Sequence, residues 1–146
     1  MSYLMKEEPI VNYNFLVRVN ENYDIPCKSV QGLQEEYEYE YIQEGGVNDY
    51  VHIRRKPVQK PGTFQVECYA VNVDRNPLAV GACFDNPIQL LVARYPGEFT
   101  ASGITFTFRG CTVISKQYGQ LSSEQSGILT EIITIAYQEM KCSGRD

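Results

Sequence analysis

Apolar and polar residues alternate with a period of two along most of the chain, which predicts β-strands rather than helices. Two stretches show the alternation clearly, residues 12–20 (NYNFLVRVN) and residues 63–73 (TFQVECYAVNV). The apolar sides of these stretches carry Tyr13, Phe15, Val17 and Val19 in the first, and Phe64, Val66, Cys68 and Ala70 in the second. Each stretch therefore predicts a strand with one side on a core.

The remaining strand signals lie between polar turns. Further strands are predicted over residues 28–44, with a bulge or bend at Gly32, and over 51–55, 88–94, 102–119 and 127–140. The stretch between Pro77 and Phe84 is the one plausible helix, weakened by Gly81. Six or seven strands with one short helix predict an all-β fold, or a β-rich α+β fold, built as an antiparallel β-barrel or sandwich.

The most regular alternation is EEYEYEYIQEGG, over residues 35–46. Its two sides carry Tyr37, Tyr39 and Tyr41 against Glu36, Glu38 and Glu40. Because tyrosine packs well over an apolar core, we expect the tyrosines to face the core and the glutamates to face water. The solvent side of an ordinary antiparallel sheet would account for such a row of acids.

The chain of 146 residues has the length of one domain, and its composition is that of a globular protein. We divide it into a single domain over 1–146, with an N-terminal arm at 1–10 and a C-terminal tail at 141–146. The first residues lack the apolar core of a signal peptide, and no run reaches the length of a membrane-spanning helix. We therefore expect synthesis in the cytoplasm without a signal peptide, and no membrane anchoring.

The net charge of −5 argues against a protein that reads nucleic-acid sequence, which normally carries a basic surface. The basic residues Arg54, Arg55, Lys56 and Lys60 do cluster. A solvated loop is the more common explanation for such a run than a phosphate site.

The residue types needed for catalysis or metal binding are sparse. The five cysteines have irregular spacing and form no CxxC pair, which predicts buried free thiols in a reducing compartment rather than disulfides or zinc ligands. The single histidine, His52, could be drawn as a dyad with Cys68, but their spacing gives no support for it. Alternate glutamates on a strand lie about 7 Å apart in a line and do not converge on a ligand. The sequence therefore predicts no catalytic residue, metal or cofactor.

Several local motifs follow one another in a recognisable order. Phe15–Val19 has an F-x-V-x pattern, Val30–Leu33 (VQGL) leads into the acidic strand, and Glu44–Asn48 (EGGVN) ends it. A basic loop with prolines and the strand TFQVECYAV come next. From about Tyr13 to Met140 the chain resembles the tail-tube proteins of contractile phages and related injection machines, which are akin to the haemolysin-coregulated protein of type VI secretion.

The resemblance implies a structural, tail-tube-like subunit and no enzyme. Such subunits form hexameric rings that stack into a hollow inner tube, inside a sheath and above a baseplate with its spike, and DNA or a protein effector passes through the lumen. The particle would be a phage tail or an injection system. By the same resemblance Glu36, Glu38 and Glu40 are candidates for the lumen wall, and Val47 to Lys60 for a contact between rings. The candidate contact residues are Glu44, Gly45, Gly46, Val47, Asn48, Arg54, Arg55 and Lys56.

Two alternatives stay open. The family often carries a tryptophan in its middle section, whereas this chain has none, and residues 76–94 match poorly. The chain could therefore be a tube-end adaptor or terminator that contacts the spike or baseplate. A protein of another class, a small ligand-binding β-barrel similar to lipocalins, would need an apolar pocket with a few convergent polar groups.

Overall fold

The computed structural model describes residues 10, 12, 14–20, 23–25, 27–43, 51–70, 77–95, 103–124 and 127–145. Within them the chain forms twelve β-strands. In chain order these are β1 (Phe15–Val19), β2 (Tyr23–Ile25), β3 (Cys27–Gln31), β4 (Tyr39–Gln43), β5 (Val51–Arg55), β6 (Gly62–Tyr69), β7 (Cys83–Phe84), β8 (Ile88–Ala93), β9 (Gly103–Arg109), β10 (Cys111–Tyr118), β11 (Thr130–Tyr137) and β12 (Glu139–Arg145).

Ten of these strands form two five-stranded antiparallel sheets. The first sheet has the order β12-β9-β8-β1-β2 and the second the order β3-β6-β11-β10-β7. The strand order leaves an edge on each side of both sheets, so the described strands form an open sandwich and not a closed barrel. The prediction of an all-β antiparallel fold is confirmed.

An apolar core joins the two sheets face to face. Strands of both sheets contribute fully buried side chains, such as Val17 and Val19 from β1 and Ile133 and Ile135 from β11. At its centre the ring of Phe64 on β6 stacks on that of Phe108 on β9, with ring centroids 4.0 Å apart. The predicted core residues Phe64, Val66 and Cys68 are all buried. Burial of these apolar surfaces is the main favourable term holding the sandwich together.

Tyr137 extends the central stack toward the surface. Its ring lies 6.0 Å from Phe64 and 5.0 Å from Phe108, measured between centroids. Gly62 is its partner in the β6–β11 ladder, and a β-carbon there would come within 2.4 Å of the tyrosine ring. A residue with no side chain is therefore required at Gly62 for the ring to lie over the strand.

The last two sequence runs each cross from one sheet to the other. The run 102–119 divides at Gly110 into β9 and β10, and the run 127–140 divides at Gln138 into β11 and β12. The amide of Gln138 donates to the carbonyl of Arg109, at 2.9 Å, so the paired strands stay hydrogen-bonded across the corner. The residues predicted as a C-terminal tail, 141–146, belong through residue 145 to β12, which pairs with β9.

The predicted helix between Pro77 and Phe84 is wrong. This stretch forms a turn around Gly81, which has a φ of +91°, and then the two-residue strand β7. Backbone hydrogen bonds join Gly81 and Ala82 to Val113 of β10, so pairing with a neighbouring strand overrides the weak local helix signal. Tyr23–Ile25, which lies between the predicted strands 12–20 and 28–44, forms the short strand β2, which pairs with β1.

The stacked pair should carry a large share of the stability. We expect Phe108→Ala to lower the free energy of unfolding by about 3–5 kcal/mol, because it leaves a cavity beneath Phe64. Tyr118→Ala, which truncates an exposed aromatic residue on β10, serves as the control and should cost less than about 1 kcal/mol. Denaturant unfolding measures both. Equal losses would show that the stack does not hold the sheets together.

Candidate assembly surface

Strands β4 and β5 form a two-stranded hairpin that belongs to neither sheet. The predicted strand 28–44 in fact ends at Gly32, where φ is +85°, and residues 32–38 form an extended connector before β4. Every residue of β5 is exposed. The hairpin therefore projects from the sandwich with both of its faces open to solvent.

One face of the hairpin is aromatic and apolar. Tyr39 pairs with Arg55 and Tyr41 pairs with Ile53 in the ladder, so their side chains share this face. Tyr41 is 71% exposed and Ile53 is 66% exposed. At the base, the guanidinium carbon of Arg55 lies 4.4 Å from the centre of the Tyr37 ring, as in a cation–π contact.

The expected direction of the tyrosines is therefore wrong. Tyr37, Tyr39 and Tyr41 are exposed and do not face the core, because the hairpin has no layer of the sandwich above it. Alternation predicted two faces correctly but could not say which would be covered. We call the exposed side chains of Tyr39, Tyr41, Ile53 and their neighbour Val51 the aromatic face.

On the face opposite the aromatic face, the glutamates have cationic partners. Glu40 lies opposite Arg54 in the ladder and accepts a hydrogen bond from its Nε at 2.7 Å. Glu38 lies 3.8 Å from the ammonium nitrogen of Lys60. These partly exposed pairs each stabilise the hairpin by roughly 0.2–1 kcal/mol at most. The face is therefore one of paired charges and not a uniform row of acids.

Gln59 fixes the base of the hairpin through its side-chain amide. It accepts a hydrogen bond from the backbone amide of Glu38 at 2.7 Å and donates to the carbonyl oxygens of Glu38 and Lys56 at 3.1 and 2.7 Å. The backbone amide of Lys56 also donates to the carbonyl of Glu38, at 2.9 Å. Sequence reasoning missed Gln59, because no pattern in the proline-rich loop around it marks a residue with this role.

The predicted site residues fall into three groups. Glu36, Glu38 and Glu40 lie along the connector and β4, and Glu36 accepts a hydrogen bond from Gln34 at 2.6 Å. Arg54 and Arg55 end β5, and Lys56 follows them. Residues 44–48, with Glu44, Gly45, Gly46, Val47 and Asn48, lie outside the described residues. The lumen and ring-contact roles of these residues stay predictions.

The cysteines differ from the expectation of buried thiols. Cys68 and Cys111 are buried and Cys27 is half-buried, whereas Cys83 and Cys142 are exposed. Cys68 lies in the sandwich core and His52 on the exposed hairpin, so the two belong to different sheets. Across the described residues, no three His, Cys, Asp or Glu side chains come close enough to hold a metal ion. The same residues include no helix with the length and apolar character to cross a membrane.

The interior that a lipocalin-like barrel would use for a ligand is filled by side chains. Phe64, Phe108, Leu78 and Ile88 are completely or almost completely buried there. An apolar cleft does open at the side of the sandwich, where β3 approaches the first sheet. It is lined by Phe15, Val30, Leu33, Leu90, Val92, Ile104 and Phe106, together with Ile10 and Asn12.

No protein-family model and no curated protein sequence matches the chain. Solved structures do match. A chain in the extended sheath-tube complex of PVC, an extracellular contractile injection system, has a TM-score of 0.77 and 16% sequence identity, over 99% of this chain and 97% of that chain. The tube terminating cap of the anti-feeding prophage has a TM-score of 0.75 and 14% identity, over 94% of this chain and 93% of that chain. A chain in the anti-feeding prophage baseplate has a TM-score of 0.71 and 21% identity, over 94% and 97%.

The chain has the tube-like fold of contractile injection systems. At this level of identity the likeness shows the fold, and it confirms the resemblance to contractile tail-tube proteins. The matched structures are components of sheath-tube complexes, a tube cap and a baseplate, all of them parts of large assemblies.

The Gln59 bonds should control how firmly the hairpin is held. We expect Gln59→Ala to speed amide hydrogen exchange in β4 and β5 by roughly five- to tenfold, because about 1 kcal/mol of local hydrogen bonding is lost. Exchange in β6 and β11 should not change. Gln34→Ala, which removes a side chain bonded only to the Glu36 carboxylate in the described contacts, is the matched control. Unchanged hairpin exchange in Gln59→Ala would contradict the anchoring role.

Proposed function

We propose that the chain is a structural subunit of the inner tube of a contractile injection system or contractile tail. Its copies assemble into hexameric rings that stack around a hollow lumen, through which DNA or a protein effector passes. The tube contacts the sheath along its length and the baseplate and spike at its end. The subunit performs no catalysis, and it acts after assembly into a particle that is released from the cell.

The observation that carries this proposal is the exposed aromatic face. Soluble monomers rarely leave contiguous apolar patches uncovered, and larger ones usually mark interaction sites. Here Tyr41, Ile53 and Val51 lie together on a hairpin that projects from a fold shared with tube components. Tyrosine is among the residues most enriched in the centres of protein interfaces. We therefore assign this face to a contact with another copy in the same or the next ring, and we propose that Arg55, Lys56 and residues 44–48 take part in that contact, whereas Arg54 pairs with Glu40 on the opposite face.

The glutamates of the connector and of β4 suit a lumen wall. Water in a lumen screens charges over about 8 Å at physiological salt, so closely spaced acids are tolerated there. Glu38 and Glu40 have cationic partners, Lys60 and Arg54, which lower the net charge of the wall. A weakly anionic wall repels nucleic acid and acidic protein without immobilising other cargo.

A tube terminator is the second candidate function. The observation in its favour is that the match to the anti-feeding prophage tube cap is almost as close as the match to the PVC sheath-tube complex, with TM-scores of 0.75 and 0.77. The two roles differ in what the purified chain does alone. A tube subunit stacks into tubes of open-ended length, whereas a terminator stops at single rings. Negative-stain electron microscopy of the purified protein at high concentration separates them, and a protein that stays monomeric would contradict both.

Removing the aromatic face should stop assembly and leave the fold intact. We expect the double substitution Tyr41→Ser and Ile53→Ser to abolish rings and tubes. Truncation of an interface anchor costs about 2 kcal/mol or more of binding free energy, and this loss is repeated at every subunit contact. The melting temperature of the subunit should change by less than about 3 °C, since both side chains are exposed. Electron microscopy, sedimentation and circular dichroism measure these effects.

The matched control replaces two exposed apolar residues on the connection between β10 and β11, Leu121→Ser and Ile128→Ser. This variant removes a similar apolar area far along the chain from the hairpin. Normal tubes from the Tyr41 and Ile53 variant would show that the aromatic face is not an assembly contact.

Neutralising the glutamates tests the lumen assignment. We expect Glu36→Gln, Glu38→Gln and Glu40→Gln together to leave tubes intact and to increase the nucleic acid that they retain, because Arg54 and Lys60 lose their counter-charges. Absorbance ratios of nuclease-treated tubes measure the retention. Asp85→Asn with Glu124→Gln removes charge elsewhere on the exposed surface and is the control. Loss of rings in the triple variant would make these side chains interface residues, and the lumen assignment would then be wrong.

A further inference from the structure

Two cysteines meet across strands β3 and β6, away from the aromatic face. Cys27 and Cys68 are direct partners in the antiparallel ladder, and their sulfur atoms lie 3.7 Å apart. Cys68 is 1% exposed in the core and Cys27 is half-buried at the edge of the second sheet. Neither the tube fold nor the hairpin requires two thiols to face each other here.

The backbone geometry at this pair suits a covalent bond. Directly opposed residues in a regular antiparallel ladder have α-carbons about 4.5–5.5 Å apart, within the range of about 4.4–6.8 Å found for disulfides. The register of this ladder shifts immediately beyond the pair, between Cys27 and Ser29. The sulfur atoms need to approach from 3.7 Å to about 2.05 Å. Side-chain rotation achieves an approach of this size without a change in the pairing of the strands.

The surroundings favour a thiolate on one member of the pair. The thiol of Cys27 hydrogen-bonds to Cys68, which lowers the pKa of Cys68 and raises that of Cys27. The ammonium group of Lys116 lowers the pKa of Cys68 further, whereas burial and the carboxylates of Glu131 and Glu67 oppose this effect. Lys116 is itself held 3.9 Å from Glu131, which lies opposite Cys68 in the ladder. A hydrogen-bonded thiol–thiolate pair is the reactive form of a dithiol.

We propose that Cys27 and Cys68 form a cross-strand disulfide when the protein meets an oxidised low-molecular-weight disulfide such as oxidised glutathione. Solvent reaches Cys27, so this sulfur attacks the small disulfide while the Cys68 thiolate, acting as the base, takes its proton, and one small thiolate leaves. Cys68 then gives up the proton and attacks the sulfur of Cys27 in the mixed disulfide, and the second small thiolate leaves. Two protein sulfur atoms are oxidised and one small disulfide is reduced; the single proton of the thiol–thiolate pair goes to one released thiolate, and the other takes its proton from water.

The bond would tie the end of the β3–β6 ladder that lies away from the hairpin, because the connector leaves β3 beyond Gln31 and the chain returns to β6 at Gly62. It closes a covalent loop from residue 27 to residue 68, which contains the connector and both hairpin strands, β4 and β5. It also ties β3, an edge strand, to β6 in the interior of the second sheet. Edge strands open more readily than central ones, so the link would hold β3, the strand that leads into the connector, against β6.

The consequence for a particle rests on the proposed function, whereas the disulfide itself does not. A reducing cytosol keeps the pair as thiols during synthesis and assembly, and an oxidising medium outside the cell closes it. On the proposed function, subunits of the released tube would then have β3, the strand that leads into the hairpin, covalently fixed to β6.

The test treats the reduced full-length protein with oxidised glutathione, blocks the remaining thiols under denaturing conditions and maps the peptides by mass spectrometry. We expect a linked peptide that joins Cys27 to Cys68, with the exposed Cys83 and Cys142 free for alkylation or bearing glutathione. The melting temperature should rise by roughly 5–15 °C and return to its starting value on reduction. Cys27→Ser and Cys68→Ala should each lose both the link and the rise, and Cys83→Ser should keep both.

Recovery of Cys27 and Cys68 as unlinked thiols or as glutathione adducts alone would overturn the proposal, as would links between different chains. The same samples are examined by electron microscopy. A Cys27–Cys68 link in a protein that never assembles would contradict the proposed function and leave the disulfide standing. Normal tubes from a protein that forms no link would overturn the disulfide alone.

Discussion

The stack of Phe64 on Phe108 is the contact on which the rest of the structure depends. These rings come from different sheets, so their contact at 4.0 Å fixes how the two sheets face each other. Tyr137 continues the stack outward and lies over Gly62, the first residue of β6. The loop that ends at Gly62 carries Gln59, which holds the base of the hairpin. The position of the projecting hairpin therefore follows from the packing of the core.

The hairpin differs from the sandwich in what stabilises it. Within the described part of the chain, β4 and β5 are held by their own ladder, by exposed ion pairs and by the Gln59 anchor, and they join neither of the two larger sheets. Isolated two-stranded hairpins are only marginally stable in water. A partner that covered Tyr41 and Ile53 would stabilise such a hairpin, which is what the proposed assembly contact requires. On the other face the ion pairs lower the net negative charge of the glutamates, so that surfaces of either charge can lie close to them.

The sequence was sufficient to predict the antiparallel all-β fold of the sandwich. It was insufficient to predict which way the tyrosines of the hairpin face, for physical reasons. The sequence pattern located β1, β6 and β8, because one side of each strand is buried in the core. It located the exposed strand β5 because the turns around it are rich in glycine and proline. The helix prediction at 77–84 failed because its weak local propensity is overridden by pairing with β10. In the acidic stretch, alternation defined two faces, but burial depends on whether a second layer lies above, and that is a property of the whole fold. The cationic partners of Glu38 and Glu40 lie on other segments, so the charge balance was equally hidden.

One fold can serve both as a tube subunit and as a tube end, and the geometry of a stacking contact explains how. A contact between successive rings joins two different surfaces, one on each ring. Such heterologous contacts let rings keep adding until a subunit that lacks one of the two surfaces is added. If the proposed contact of the hairpin is one between successive rings, the hairpin would supply one of the two surfaces and the sandwich of the next subunit the other. A terminator keeps the surface that binds the last ring and lacks the surface that would receive the next. The similar TM-scores to a sheath-tube component and to a tube cap, 0.77 and 0.75, show that one course of the backbone is compatible with both places.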